Sequence, residues 1–163
     1  MKPAGIQTPR LTSRLNTPQH ARAQIEAMDP ADRAQVSPHW LAQLDASPEP
    51  DPWIHGFALI HRTSGAEIGL CGFKGPPSPD GMVEIAYAVA PEYQCQGYAT
   101  EAAEALTAFA FNDSRVQAVR AHTLPQPNAS TQVLTKCGFQ FVGDVDDPED
   151  GLVWRWEKQT KPT

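Results

Sequence analysis

The chain has 163 residues, 40% apolar and 20% charged, which fits one globular domain over residues 1–163 and excludes a disordered or fibrous polymer. Its net charge of −6 argues against nucleic acid, whose phosphates demand a Lys/Arg surplus, and suits a cationic partner such as an amine. No apolar run approaches the roughly 18 residues of a membrane helix. Met1–Arg10 lacks a secretory apolar stretch, and Cys71, Cys95 and Cys137 read as reduced thiols in a cytoplasmic setting.

In chain order, Thr8–Arg14 reads as an edge strand. Thr17-Pro18 is a helix start, followed by Ala21, Ile25 and Met28 at helical spacing until Asp29-Pro30 stops the run. Ser37-Pro38 repeats the signal, with Trp40, Leu41 and Leu44 as an apolar stripe packing that helix. After a proline-marked loop over 46–52, Trp53–Arg62 and Ala66–Lys74 form a hairpin joined by Thr63-Ser64-Gly65, with His55 and His61 on its first strand. Val83–Ala90 is the strongest strand. Val83, Ile85, Tyr87 and Val89 line one face and Glu84, Ala86, Ala88 and Ala90 the other, as in a central strand covered on both sides. A glycine-containing loop then leads to a helix with Ala99, Ala102, Ala103, Leu106, Phe109 and Ala110 inward. Val116–His122 is a strand, Asn128 caps a short helix closed by Gly138, and Phe139–Val145 is a strand. An acidic loop from Asp144 to Asp150 leads to a last strand with Trp154 and Trp156 in the core.

The loop Pro91–Thr100 joins the central strand to the long helix. A glycine there lets the chain turn tightly, and consecutive N–H groups at a helix N-terminus form a concavity with partial positive charge, suited to phosphate. Neither G-x-G-x-x-G nor Gly-Lys-Ser/Thr is present, which disfavours a dinucleotide fold, a kinase or a nucleotide-dependent ligase. No histidine pair has ligand spacing, so no metal site is expected.

Gln94-x-x-Gly97-x-Ala99 resembles the Gln/Arg-x-x-Gly-x-Gly/Ala signature of the GNAT superfamily of N-acetyltransferases. Glu84-Ile85-Ala86-Tyr87, Tyr98–Ala102, and Asn128-Ala129-Ser130 followed by Lys136-Cys137-Gly138-Phe139 resemble, in family order, its ribosomal-protein (RimJ/RimL-like) branch. The resemblance runs weakly from Thr8 and strongly from Ile68 to Phe139. It implies an α/β (α+β) fold, a mostly antiparallel sheet flanked by helices, whose central parallel strands, Val83–Ala90 and Val116–His122, splay apart. Acetyl-CoA would enter that gap, its diphosphate on the backbone of Gln94, Cys95, Gln96, Gly97, Tyr98, Ala99 and Thr100. Its pantetheine would lie along Tyr87 and Val89 like an added strand. Asn128 would be a further contact, although the family's usual asparagine aligns with Pro127. Members of the family often dimerise, so a homodimer is an expectation of the resemblance; no apolar stripe shows one.

The implied reaction is direct attack on the thioester by a primary amine, either a protein N-terminal α-amine or a small-molecule amine. By resemblance, a backbone N–H around Val89 holds the oxyanion and Ser130 meets the leaving thiolate; alternatively Ser130 bonds its own helix backbone. Glu84, the only charge in its strand, is the leading base if burial raises its pKa, and otherwise a solvated strand-end carboxylate. His122 is a proton relay or a packed histidine, and Glu149 is a reserve base. The acidic loop is a solvated turn or an attractor of cationic amines. Arg10 and Arg14 read as surface charges or, alternatively, as braces of the acceptor site, and Cys95 as an inert thiol or one whose oxidation blocks CoA. A non-catalytic acyl-CoA-binding sensor of the same fold is the alternative.

Overall fold

The computed structural model describes residues 5–27, 30–33, 38–46, 48–148 and 151–159. Met28, Asp29, Ser37, Glu149 and Asp150, used in the reading above, lie outside them. The strands are β1 (Gly5–Gln7), β2 (Leu11–Leu15), β3 (Phe57–His61), β4 (Glu67–Phe73), β5 (Met82–Val89), β6 (Ala118–Thr123), β7 (Gln140–Asp147) and β8 (Gly151–Gln159). The helices are α1 (Pro18–Glu26), α2 (Pro30–Arg33), α3 (Pro38–Ala46), α4 (Tyr98–Phe111) and α5 (Ala129–Lys136). They build one mixed sheet in the order β1-β2-β3-β4-β5-β6-β8-β7, antiparallel except between β5 and β6. The expected α/β architecture is therefore the one observed.

Helix ends follow local chemistry. Thr17 Oγ1 accepts from the His20 N–H at 3.0 Å, with Pro18 in the first turn of α1. Asn128 Oδ1 accepts from the Thr131 N–H at 3.0 Å while Thr131 Oγ1 accepts from the Asn128 N–H at 3.0 Å, a capping box for α5. Gly138, at φ +86°, closes that helix.

The main core gathers Ala102, Ala103, Leu106 and Ala110 of α4 with Val83 and Ile85 of β5, Phe57 and Leu59 of β3, and Val119 of β6. A smaller cluster of Ala21, Ile25 and Leu44, with Trp40 packed against it, seats α1 and α3. Trp156 is buried and Trp154 half-buried, as expected of the last strand.

Four local expectations are corrected. The strand covered on both faces is β3, where Phe57, Ala58 and Leu59 are all buried; in β5 the alanine face is open, with Ala86 and Ala88 exposed. Trp53 and His55 precede β3, in a turn where the Trp53 N–H donates to Asp51 Oδ1 at 2.8 Å and the Asp51 N–H donates to His55 Nδ1 at 2.9 Å. Asp144, Asp146 and Asp147 belong to β7; this edge strand has water along it, so carboxylates are tolerated there. Helix α1 ends at Glu26, and Pro30, expected only as a stop, begins a further helix, α2.

Gly69 marks a close approach of β4 to β5. A Cβ there would fall on the Ala88 carbonyl oxygen, which is backbone and cannot rotate away. Gly69→Ala is expected to cost about 2 kcal/mol, read as a lowered urea midpoint with unchanged slope.

Candidate active-site cleft

The cleft arises because β5 and β6 pair at only three positions, Met82↔Ala118, Val83↔Val119 and Glu84↔Arg120, and then diverge. The Lys74 N–H donates to Glu84 O and the Ala90 N–H to Ile68 O, so the even-numbered residues of β5 bond to β4. From the other side, the Gln117 and Ala118 N–H groups donate to Gly81 O, so the odd-numbered residues face β6. Beyond the divergence, Tyr87 and Val89 therefore turn their main-chain groups into an opening. The Val89 carbonyl accepts from Gln94 Nε2 at 2.8 Å, which leaves its N–H directed into the gap.

At the C-terminal end of β5 a single 3-10 turn, Pro91–Tyr93, leads into the loop. Cys95 at φ +63° and Gly97 at φ +87° bracket Gln96, and α4 begins at Tyr98. Such left-handed residues point successive amides the same way. None of the N–H groups from Cys95 to Thr100 donates to another described group, whereas the Glu101 N–H already bonds Gly97 O at 3.1 Å. Open amides and a helix N-terminus thus coincide.

Loop and gap share one cleft of about 910 Å³. Gln94, Cys95, Gly97, Ala99 and Thr100 line one end, Ala86–Val89 the middle, and Ser130, Val133 and Lys136 of α5 the flank. Asn16, Gln24, Trp40 and Lys74 line the end beneath α1. The Tyr87 hydroxyl stands beside Ser130, and burial pushes it up to about 12, so it remains an O–H donor at neutral pH.

The expected donor contacts are not all alike. The Tyr98 side chain is buried, and its hydroxyl lies 3.1 Å from His61 Nε2, which leaves only its amide for a ligand. Gln96 sends its side chain to Glu92 O at 3.3 Å and does not line the cleft. Asn128 uses its Oδ1 to cap α5, and it too lies outside the cleft lining.

Glu84 sits in a charged cluster at the β5–β6 fork. Its Oε2 is 2.9 Å from Lys74 Nζ and 3.2 Å from His122 Nδ1. His122 Nε2 accepts from Arg155 Nε at 3.0 Å, and Asp147 Oδ2 stands 3.9 Å from His122 Nδ1. Burial works to raise the Glu84 carboxyl, but His122 and Lys74 together outweigh it and hold it below its ordinary value. The expectation of a raised Glu84 is thus overturned, because the Lys74 ammonium and the His122 imidazole, which the sequence had not paired with it, stand beside it. His122 has both nitrogens next to charged neighbours and supports Glu84; it does not line the cleft. Among the described residues no group of three or more His, Cys, Asp or Glu is placed to hold a metal ion.

Arg10, read from the sequence as a surface charge or a brace of the acceptor site, braces the loop before α4 instead. Its Nε donates to Glu101 Oε1 at 2.9 Å, its Nη1 donates to Gln96 O at 2.8 Å, and its guanidinium lies 4.3 Å from the Tyr98 ring centre. Among the described residues Arg14 pairs with exposed Glu67, at 3.7 Å, as a surface charge does. No spacing rule links residues 91 positions apart; the one available signal was an acidic residue in the first turn of a helix whose ligand would itself be anionic.

Over residues 7–140 the chain matches the acetyltransferase (GNAT) domain family. It is 28% identical over 93 residues to an uncharacterised N-acetyltransferase, p20, of Bacillus licheniformis, and 30% identical over 89 residues to another, YjdG, of Bacillus subtilis. These matches cover 57% and 55% of this chain and 52% and 51% of those proteins, so the chain spans about half the length of the curated relatives it matches. A structure of a candidate ribosomal-protein-serine acetyltransferase from Vibrio cholerae superposes with a TM-score of 0.69 at 18% identity, covering 98% of this chain and 100% of that one. AAC(6')-Ib, solved with ribostamycin and coenzyme A, superposes with a TM-score of 0.67 at 19% identity, covering 92% and 93%. At such identities these two establish the fold. The family match, spanning the loop and both splayed strands, places the chain among the GNAT acetyltransferases.

Proposed function

We propose that the protein transfers an acetyl group from acetyl-CoA directly to a primary amine, the α-amine of a peptide N-terminus, as its resemblance to the RimJ/RimL-like branch suggests. One observation carries the reading. Cys95 and Gly97–Thr100, with their open amides, and the outward-facing main chain of Tyr87 and Val89 line a single cleft, so a donor with an anionic head and an amide-bearing arm fits both. In this arrangement the loop holds the diphosphate, and the Val89 N–H receives the thioester oxygen. As the amine attacks and that oxygen becomes an oxyanion, such a donor contributes roughly 3 kcal/mol. The C–S bond then breaks, and the Tyr87–Ser130 pair hydrogen-bonds the departing thiolate.

The acceptor class follows from the state of Glu84. A carboxylate held ionised by Lys74 and His122 is a weak proton acceptor. At pH 7 an α-amine with pKa near 7.7–8.0 is already roughly one-tenth neutral, whereas a lysine side chain is neutral in about one molecule per 2,500. An α-amine needs less help. The contacts with Lys74 and His122 both fall on Oε2, so Oε1 is the atom that would take the amine's proton. The net charge of −6 supports a cationic acceptor over nucleic acid, and the three free thiols support a reducing, cytoplasmic setting. No described helix is long and apolar enough to cross a membrane. A homodimer rests on the family resemblance alone.

The test is thiol release from acetyl-CoA against N-terminal peptides, small amines and aminoglycosides, with calorimetry of donor binding alongside. Release with α-amino peptides supports the reading. Tight binding with no release across the panel would mean an acyl-CoA sensor of the same fold.

A further inference from the structure

We infer that Arg10 is a positioning residue for the donor loop: it holds the Glu101 carboxylate away from the open amides and fixes the Gln96 carbonyl, so that the anion site is preformed. The inference rests on the acetyl-CoA reading for the ligand's identity. Glu101 lies in the first turn of α4, three residues beyond Tyr98, where a carboxylate tends to fold toward the helix's free N–H groups. Left to itself it would occupy or repel whatever anion those amides bind. Here it is turned outward. Glu101 Oε2 accepts from the Arg10 N–H at 2.9 Å and from the Thr8 hydroxyl, and Oε1 accepts from Arg10 Nε at 2.9 Å. Burial opposes the charge, but Thr8 and Arg10 outweigh it and keep the carboxyl below its ordinary value, so it remains an ion paired with arginine.

The bracket is itself fixed. The turn between β1 and β2 is closed by the Thr8 N–H donating to Leu11 O at 2.9 Å. It is tied to the end of β3 by Arg62, whose Nη1 donates to Thr8 O at 2.7 Å and whose N–H donates to Arg10 O at 2.9 Å. From this support the guanidinium reaches across to Gln96 O and stacks over Tyr98. Arg10 Nη2 also lies against Gly97, where an added Cβ would meet it at 3.0 Å. Three successive loop residues are thus held by one side chain. With Arg10 43% exposed, its ion pair adds little to overall stability, so its effect is local.

The test compares two donors, acetyl-CoA and S-acetyl-pantetheine, which lacks the diphosphate. Arg10→Gln is expected to raise KM for acetyl-CoA about tenfold or more, leave kcat at saturation within about twofold, and leave KM for S-acetyl-pantetheine unchanged. Arg10→Gln with Glu101→Gln should recover much of the lost affinity, because the repelling charge goes with its partner. Thr8→Val, which removes one ligand of Glu101, should shift KM in the same direction by less, and serves if Arg10→Gln unfolds. An equal loss with both donors, or no change in KM, would overturn the inference. Calorimetry with CoA separates it from the transferase reading: binding that weakens in Arg10→Gln supports the positioning role even if no acceptor turns over.

Discussion

Replacing Ala99 with leucine is expected to lower kcat/KM for acetyl-CoA at least about a hundredfold while the fold stays intact. Ala99 is the second residue of α4, half-buried, and lines the cleft beside Gly97 and Thr100. Ala102 and Ala103 lie on the same face of α4 and are buried in the core, whereas Ala99 is at the open end of that face, so a larger side chain at 99 grows into the cleft. There it would stand where a diphosphate must approach the main chain. A hundredfold loss corresponds to about 2.7 kcal/mol, the order of a few charge-assisted hydrogen bonds that can no longer form. The measurement is steady-state kinetics with donor varied, with thermal unfolding as the control for folding. An unchanged KM in a folded variant would mean that the amides of this loop do not hold the donor.

Glu84→Gln should separate support from catalysis. Removing the charge leaves Lys74 and His122 facing a neutral amide, with the Glu84 side chain only 20% exposed. A buried pair that loses one partner costs about 3–5 kcal/mol, and this partial exposure reduces the expectation to about 2. The pH dependence has a definite sign. The folded carboxyl titrates below its ordinary value of 4.5, so in the window between the two values the unfolded chain binds more protons. Its contribution is therefore fully present above 4.5 and is lost as pH falls through the folded value. Wild type and variant should differ most near neutrality and converge in acid.

For turnover, the variant is expected to lose less than about tenfold with an α-amino peptide and about a hundredfold or more with a lysine-like amine. With an α-amine, the wild-type rate should rise with pH and level near the amine's own pKa of roughly 7.7–8.0, with no earlier break from the enzyme. An enzyme-derived break near pH 6 that Glu84→Gln abolishes would contradict an ionised, weakly basic Glu84.

Much of the frame was legible because it is written locally. Thr17 and Asn128 announce their helices through side chains that reach three residues ahead, and Gly97 and Gly138 mark left-handed positions that few other residues adopt. The alternation in β5 found the central strand but could not say which face was covered. Alanine reads the same whether it packs under a helix or walls a cleft, and here Ala86 and Ala88 do the latter. Contacts set by register were hidden too. Lys74 opposes Glu84 across β4 and β5, His122 reaches it from β6, and Arg10 finds Glu101 through the packing of a distant turn. The Asp144–Asp147 run read as a loop because carboxylates are depleted from strands, a tendency that fails where water borders both faces.

The short pairing of β5 with β6 has a consequence for how the molecule trades protons with solvent. Tyr87 and Val89 stand mid-order among eight strands, yet their amides should swap for deuterium as fast as those on an outer border. Ala86 and Ala88, bonded to β4, should resist. Added coenzyme A ought to slow the odd-numbered pair alone.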